Sequence, residues 1–461
     1  MINAITTVCN YLIMIFLAVF TFDSFRAIKD RPQRDRNKLS KIEVFCMFMI
    51  HFMGYLVIYL NLQTNEVLTF YGMQVLYFIL VLGLYPVFYP NVNKALLCNM
   101  SMLIALGFIV ITRLNYDKAV KQFTFICGAT IVTIIVPLII RKFKNLYKLK
   151  WLYFALGLGL LAMVLFLGVT TRGAKLSISF GPITLQPSEF VKVVFVFFVA
   201  SILSQKTNFK TVCFTTLMAG SFVLILVAST DLGSALIFFL VYVFLLYVAT
   251  KKKWYLFAGI GAGTAASVLA YQLFSHIRVR IKMWQNPWSD ENGKGYQIIQ
   301  SLFAIGTGSW FGTGLFRGKP NTVPIVIKDF IFAAIVEELG GVTGIIVIML
   351  CMSTFMIFIK IAMMQKNNFN KLIATGLGIA YAFQVFLTIG ASMNMIPLTG
   401  VTLPLISYGG SSALCTMIMF SILQGLHILA VDEEKKNERE KSKTKEQDRY
   451  RTEISGLKAR R

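Results

Sequence analysis

The chain has 461 residues, of which 56% are hydrophobic and only 14% are charged. A soluble domain is usually about 45–50% apolar with about 25% charged residues, so this composition excludes an ordinary soluble protein. The net charge of +24 is concentrated in short segments between apolar runs, where it sets membrane topology and contacts anionic lipid. We therefore expect no nucleic-acid binding.

Apolar segments long enough to cross a membrane follow one another along the chain. A helix needs about 17–25 apolar residues to cross a hydrocarbon core of about 30 Å. Thirteen such segments are predicted, at residues 3–21, 43–61, 67–90, 95–112, 122–140, 151–170, 189–204, 211–229, 232–250, 254–274, 331–359, 372–391 and 403–430. They predict an all-α polytopic membrane protein.

Three regions follow from the distribution of polar residues. Residues 1–90 hold three spans and little that carries chemistry, so we interpret them as an additional N-terminal transmembrane module. Residues 91–430 form a membrane core with a large loop at 275–330. Loops of this length inside a compact protein are usually functional. Residues 431–461 are a charged tail, expected to be solvated.

Lysine and arginine in the loops predict the orientation. Basic clusters lie at 22–42, 141–150, 251–253 and 360–371, and with thirteen spans all of them fall on the same side as the C-terminal tail. The positive-inside rule makes that side cytoplasmic, so we expect the N-terminus outside and the C-terminus inside. The loop at 113–121 is an exception, because Arg113 and two lysines fall on the predicted outer side.

Charged residues within spans are expensive and are candidates for function. Glu189 and Lys192 stand at i and i+3 at the start of one span, a spacing that equally favours a structural ion pair. Asp231 lies between two apolar runs, where it is expected to cap the following helix. The scattered cysteines form no CxxC pair, so no zinc site is indicated.

Asp329 stands where the loop at 275–330 gives way to an apolar segment containing Glu337 and Glu338. In one continuous helix, these two glutamates would lie roughly 12–14 Å deeper than Asp329. At about 100° per residue, Glu337 would be about 80° from the Asp329 face and Glu338 about 180° from it. We therefore expect Glu337 to line a cavity below Asp329 and Glu338 to bind a neighbouring helix.

The last span opens with "TGVTLPLISYGGSS" at 399–412. Pro404 removes a backbone donor, and Gly409-Gly410 weaken the helix again. Broken backbone is tolerated at membrane depth where it is buried in protein or lines a wet cavity. The hydroxyl groups of Ser407 and Tyr408 would suit such a cavity.

Six ordered stretches resemble the SEDS family (shape, elongation, division and sporulation) of RodA, FtsW and SpoVE proteins. They are "QPSEFVK" at 186–192, "DLGSA" at 231–235, "GKGYQIIQS" at 293–301, "GTGLFRG" at 312–318, "DFIFAAIVEELG" at 329–340 and the fourteen residues at 399–412. The resemblance implies a core of ten membrane helices, with the first three spans as an addition. It also implies polymerisation of lipid II, the undecaprenyl-pyrophosphate-linked precursor, on the outer face of the bacterial cytoplasmic membrane, with a class B penicillin-binding protein as partner.

The proposed catalytic aspartate of the family lies in an "HTDFIF" motif, which matches Asp329 here. The chain departs from the family before this residue, where Ile327-Lys328 replaces His-Thr, and Lys328 is expected to favour the ionised aspartate. It also has Leu176-Ser177, preceded by Lys175, in place of a family Arg-Trp.

The resemblance makes Asp329 the predicted general base for the attacking sugar hydroxyl. Arg280, Lys175 and Lys192, or a divalent cation such as Mg²⁺ or Mn²⁺, would offset charge on the departing pyrophosphate. The other predicted substrate-binding residues are Glu189, Glu337, Lys328, Ser407 and Tyr408. Two further hypotheses remain open: a flippase for the same lipid-linked precursor, and a catalytically silent scaffold for wall enzymes.

Overall fold

The computed structural model describes the backbone of residues 2–29, 32–143, 145–171, 174–180 and 183–459. Side chains are described for these residues except 33, 169–171, 174–176, 179–180, 183 and 443–459. Most of this chain is helical. The helices are α1 (Ile2–Ile28), α2 (Gln33–Leu62), α3 (Asn65–Phe88), α4 (Lys94–Leu114), α5 (Tyr116–Lys142), α6 (Lys150–Leu167), α7 (Pro187–Leu203), α8 (Phe209–Ala228), α9 (Leu232–Thr250), α10 (Lys253–Leu273), α11 (Ser275–Gln285), α12 (Tyr296–Gly308), α13 (Ile331–Leu339), α14 (Gly341–Met364), α15 (Asn368–Ser392) and α16 (Gly410–Ala459).

The membrane-crossing helices agree with the predicted spans. Within the described residues, twelve helices are long and apolar enough to cross a membrane. The helix α7 has 17 residues, at the lower limit for a span, and corresponds to the predicted segment 189–204. The all-α polytopic prediction is therefore confirmed.

Two predicted spans are interrupted. The segment predicted at 331–359 is divided at Gly340 into α13 and α14. Gly340 has φ of 94°, and a Cβ atom there would lie 2.5 Å from the backbone nitrogen of Gly312, so the backbones approach too closely for any side chain. The segment predicted at 403–430 becomes helical only at Gly410, which confirms the predicted break around Pro404.

A small antiparallel sheet lies between α6 and α7 and was not predicted. Its strands are β1 (Val169–Thr171), β2 (Ala174–Phe180) and β3 (Ile183–Leu185), in the order β1-β2-β3. Ser177 pairs with Val169, and Ile178 pairs with Leu185. The alternating sequence "KLSISF" has the period of a strand, but it follows directly on the apolar run of α6, which obscured it.

The two ends of the helix bundle differ in character. We call the end where α4 finishes and α5 begins the site end, and the opposite end, which carries the basic loops, the basic end. The helix α4 is central, because nearly all of its residues are buried. In contrast, none of the residues of α10 is buried, so its apolar surface is left for lipid.

Non-helical backbone is concentrated at the site end. The loop between α10 and α13 contains α11, α12, short 3-10 turns at Pro287–Asp290 and Pro320–Thr322, and turns through residue 330. A second irregular segment, residues 393–409, joins α15 to α16. At the basic end, α16 continues as a helix to Ala459, so the backbone of the tail is more regular than its composition indicated.

Candidate active site

Asp329 lies in a turn that immediately precedes α13, and its side chain is half-buried. The three consecutive carbonyl groups that lead to and include Asp329 are each bound by a donor from another segment. The bonds run from Tyr408 N to Ile327 O (2.8 Å), from Ser407 Oγ to Lys328 O (2.6 Å) and from Ser392 Oγ to Asp329 O (3.2 Å). The main chain at Asp329 is therefore fixed by α15 and by the irregular segment 393–409.

The segment 393–409 is itself held by the core. Gln122 Oε1 of α5 accepts a hydrogen bond from Gly409 N at 3.1 Å, and within the segment Ser407 Oγ accepts one from Leu403 N at 3.0 Å. Leu405 has a positive φ of 65°. A Cβ atom added at Gly107 would lie 2.8 Å from the carbonyl oxygen of Leu405. The absence of a side chain at Gly107 thus lets this strained backbone sit directly against α4.

Arg280 on α11 is the cation of this site. Its Nη1 donates to Leu398 O at 3.0 Å, in the segment that holds Asp329. Burial lowers the pKa of Arg280, and the carboxylates of Asp231 and Asp329 oppose that shift. The charges of Asp231 and Asp329 are therefore near enough to act on the Arg280 guanidinium, at the same end of the bundle.

The helix α11 is attached firmly enough to position Arg280. Trp284 Nε1 donates to Asn394 O at 3.1 Å, and Asn394 Nδ2 donates to Trp284 O at 3.2 Å. This reciprocal pair fixes α11 to the same irregular segment that Arg280 contacts.

Asp231 caps α9, as predicted. Its Oδ1 accepts from Ser234 N at 3.1 Å, and its Oδ2 accepts from Ser188 Oγ at 2.9 Å. A carboxylate at this position also faces the positive end of the helix dipole.

Glu189 and Lys192 form a buried ion pair on α7. Lys192 Nζ lies 2.9 Å from Glu189 Oε2 and also donates to Gln384 Oε1 at 2.5 Å. Gln384 Nε2 in turn donates to Thr402 O at 3.1 Å, which connects the pair to the irregular segment. The structural ion pair is observed, and a role for either residue in binding substrate stays a prediction.

The expected positions of Glu337 and Glu338 are wrong, because Asp329 is not part of their helix. The turn at Asp329 lies at the level of Gly107 on α4, because Ser407, which binds the carbonyl of Lys328, belongs to a segment packed against Gly107. The end of α13 lies at the level of Arg113, because Glu338 pairs with Arg113. Gly107 and Arg113 are six residues apart on α4, about 9 Å along its axis. The helix α13 therefore runs toward the site end, and Asp329 is recessed below the two glutamates.

Both glutamates hold the loop that precedes them. Glu337 is buried, and its Oε1 accepts from Lys319 N at 2.6 Å. Glu338 accepts from Phe316 N at 3.0 Å and forms a 2.8 Å ion pair with Arg113. The prediction that Glu338 binds a neighbouring helix is confirmed. Glu337 lies nearer the site end than Asp329 and not below it, and its role toward substrate stays a prediction.

The pairing of Arg113 also explains the exceptional basic loop. The guanidinium group lies 4.2 Å from the centre of the Phe316 ring, and its Nη2 donates to Gly318 O at 3.3 Å. Only 11% of the Arg113 side chain is exposed, so it packs inside the protein and is not a guide to which side of the membrane this loop faces.

The other predicted binding residues are placed as follows. Lys328 is exposed, Tyr408 is half-buried, and Ser407 is buried with its hydroxyl group bound to backbone. Lys175 lies in β2, but its side chain is outside the described residues. Their roles toward substrate stay predictions.

Sequence reasoning missed Gln122, Gln384 and Ser392, which are buried and hold the site. Charge is the strongest polar signal within an apolar span, and these three side chains are neutral. A lone glutamine in an apolar helix is also costly unless it is bonded, so these residues carried a usable signal.

The divalent cation stays a prediction. Among the described residues, no group of three or more His, Cys, Asp or Glu side chains could hold a metal ion. Mg²⁺ is usually held by one or two carboxylates together with water and substrate phosphates, so Asp329 and Asp231 are the side chains at this end that would contribute to such a site.

The fold and the site define a polytopic α-helical membrane protein with a recessed aspartate and broken backbone at one end. The family model of FtsW, RodA and SpoVE, described as "Cell cycle protein", matches residues 93–431. The chain therefore belongs to this family, and the predicted SEDS resemblance is confirmed.

Curated relatives are similar over most of the core. The peptidoglycan glycosyltransferase RodA of Mycobacterium tuberculosis (strain H37Rv) is 31% identical over 365 residues, covering 73% of this chain and 78% of that protein. The probable peptidoglycan glycosyltransferase FtsW of Pseudoalteromonas translucida is 33% identical over 365 residues, covering 74% of this chain and 89% of that protein.

Solved structures support the fold. A chain of a peptidoglycan synthase complex, described for its structural coordination of polymerization and crosslinking, matches with a TM-score of 0.62 at 23% identity. It covers 73% of this chain and 97% of the other. RodA of Thermus thermophilus matches with a TM-score of 0.55 at 21% identity, covering 73% and 96%.

Proposed function

We propose that this protein is a peptidoglycan glycosyltransferase that polymerises lipid II. One observation carries the proposal: a half-buried aspartate, within electrostatic range of Arg280, lies on a main chain fixed by three hydrogen bonds from other segments. Fixed geometry is what a general base requires, because a misplacement of about 1 Å costs on the order of 100-fold in rate. Family membership and the names of the relatives support the substrate class.

The reaction is a substitution at the anomeric carbon of the donor sugar. The acceptor hydroxyl oxygen forms the new bond to this carbon as its proton passes to the Asp329 carboxylate. The bond from the anomeric carbon to the pyrophosphate oxygen breaks, and undecaprenyl pyrophosphate leaves with the electron pair. Arg280 would stabilise the growing negative charge, because a guanidinium binds phosphate oxygens in a bidentate fashion.

The test is purified protein in liposomes with labelled lipid II. Glycan strands of graded length are the expected product. Transfer of label between leaflets without strands would instead support a flippase. The absence of both strands and transfer would support a scaffold. An exposed carboxylate at the same end, Glu291, supplies the matched control, because Glu291→Gln should polymerise normally.

We also propose a class B penicillin-binding protein as partner. The similar synthase complex, in which polymerization and crosslinking are coordinated, supports a transpeptidase alongside this core. Co-purification with a class B enzyme, together with a change in polymerisation rate on mixing, is the expected result. A complex that leaves the rate unchanged and dissociates during gel filtration would contradict it.

The site end is proposed to face outward and the basic end the cytoplasm. Lysine-rich loops at the basic end support this orientation. With the native cysteines replaced, Lys251→Cys should resist a membrane-impermeant maleimide added outside cells, and Ser289→Cys at the site end should react. The reverse pattern would overturn the predicted topology.

A further inference from the structure

The first turns of α1 lie against the loop that precedes α13. Asn10 Nδ2 donates to Phe311 O at 2.8 Å, and the Tyr11 ring centre lies 6.0 Å from that of Phe311. The guanidinium group of Arg317 donates to Asn3 O. We call residues 309–319 the bracing loop. Its contacts with α1 come from a part of the chain outside the family match, which begins at residue 93.

The bracing loop is joined on its other side to the end of α13. Four of its backbone N–H groups donate to the two glutamates of that helix. The bonds are Thr313 N to Glu337 O (2.9 Å), Gly314 N to Glu338 O (2.8 Å), Phe316 N to Glu338 Oε1 (3.0 Å) and Lys319 N to Glu337 Oε1 (2.6 Å). Because α13 starts two residues after Asp329, its position limits where that carboxylate can lie.

Asn10 is suited to hold this loop. Its side chain is buried, at 6% exposure, and an amide in an apolar helix is costly unless it is bonded. The carbonyl group that it binds belongs to irregular backbone, which also needs a partner wherever water is excluded. The bond from Asn10 Nδ2 to Phe311 O thus joins both segments and fixes their relative position.

We propose that α1 is a positioning element for the reaction and that Asn10 is its principal positioning residue. It holds the bracing loop against the end of α13, and α13 holds the turn that carries Asp329. The effect on turnover rests on the proposed glycosyltransferase function, whereas the effect on the bracing loop does not.

The first test replaces Asn10 by leucine in the full-length protein in liposomes. Asn10→Leu keeps the size of the side chain and removes the donor. We expect kcat for lipid II polymerisation to fall about tenfold, less than the loss of about 100-fold for a 1 Å misplacement, because the contacts of Tyr11 and Asn3 remain. The KM for lipid II should stay within about twofold, since Asn10 does not contact the substrate. Backbone amides at 312–319 should exchange with deuterium faster.

The second test acts from the loop side. Arg317→Met removes the donor to Asn3 and leaves α1 unchanged, so a fall of about twofold to threefold in kcat is expected. Lys319→Met, at another exposed cation of the same loop, is the matched control and should leave kcat unchanged.

Ser24→Ala separates positioning from general packing. Ser24 binds Asn99 and Ser353 at the far end of α1, so its loss loosens α1 without touching the bracing loop. An equal fall in kcat for Ser24→Ala and Asn10→Leu, or unchanged exchange at 312–319 in Asn10→Leu, would overturn the proposal. If wild-type protein does not polymerise lipid II, the proposed function fails, and the exchange result still decides whether α1 positions the loop.

Discussion

Residues 2–88 and residues 93–431 hold their helices together with different interactions. In the first region, neutral side chains join the helices: His51 Nε2 and Gln74 Oε1 lie 2.9 Å apart, and Tyr55 reaches Thr112 of α4 at 2.8 Å, whereas the Arg26–Asp23 ion pair lies within α1. In the second region, two buried ion pairs bind helices and loops around the site, Glu189 with Lys192 and Arg113 with Glu338.

This difference has a physical reason. A neutral hydrogen bond between membrane helices stabilises by about 0.6 kcal/mol on average and carries little risk if it is broken. A buried ion pair carries a large desolvation cost and is weak evidence for stability. Both regions bury carboxylates, Asp23 and Glu43 in the N-terminal helices among them, but the ion pairs of the core hold polar backbone near the site.

The attachment of α1 follows the same division. The core supplies a cation at each end of this helix, and both donate to main-chain carbonyl groups. Arg317 binds Asn3 O, and Lys360 Nζ binds Ile28 O at 2.5 Å. The contact of Lys360 also complements the negative end of the helix dipole.

The largest effect is expected at Asp329, the proposed general base in the core. Asp329→Asn keeps the shape but removes the base, so the variant should insert normally and form no glycan strands from lipid II. Asp329→Glu moves the carboxylate by about one methylene group and should lose on the order of 100-fold in rate. Near-normal polymerisation by Asp329→Asn would move the catalytic role elsewhere.

Breaking the Arg113–Glu338 pair should destabilise the core strongly. Arg113→Ala leaves a buried carboxylate unpaired, which typically costs about 3–5 kcal/mol. Thermal unfolding in detergent measures the loss, and the double variant Arg113→Met/Glu338→Leu should recover most of it. If the single and double variants unfold together, the pair does not hold the bracing loop.

Glu189 and Lys192 test whether the second pair is equally coupled. Lys192→Ala should lose about 3–5 kcal/mol of stability, and adding Glu189→Ala should restore part of it. Strictly additive losses in the double-mutant cycle would contradict the pairing.

Arg280→Lys should have an intermediate effect on activity. Lysine keeps the charge but loses the planar fork, so we expect a fall of roughly tenfold in polymerisation with stability nearly unchanged. Arg280→Ala serves as the more severe comparison. A full rate in Arg280→Ala would remove this residue from the proposed mechanism.

The smallest effect is expected for the neutral contacts of α1. Ser24→Ala removes bonds of about 0.6 kcal/mol each in a membrane, a change near the limit of thermal unfolding measurements. A loss above about 3 kcal/mol would show that the N-terminal region depends on buried polar contacts as strongly as the core does.

The sequence by itself determined the fold class, the apolar helices long enough to cross a membrane, the Asp231 cap, the spacing of Glu189 and Lys192, and the break around Pro404. Each of these depends on interactions between residues close in the chain: apolar length, helix periodicity, capping and the missing proline donor. The family resemblance, which rests on ordered local motifs, was confirmed for the same reason.

Only the tertiary structure decided how Asp329 is oriented and held. The break at Gly340 depends on the approach of Gly312, and Arg113 meets Glu338 across 225 positions of the chain. The three bonds that fix residues 327–329 come from residues at least 63 positions away. Local periodicity extended α13 backward through Asp329 and placed the glutamates below it. The folded chain reverses that order because contacts distant in sequence, which no local pattern encodes, hold the turn.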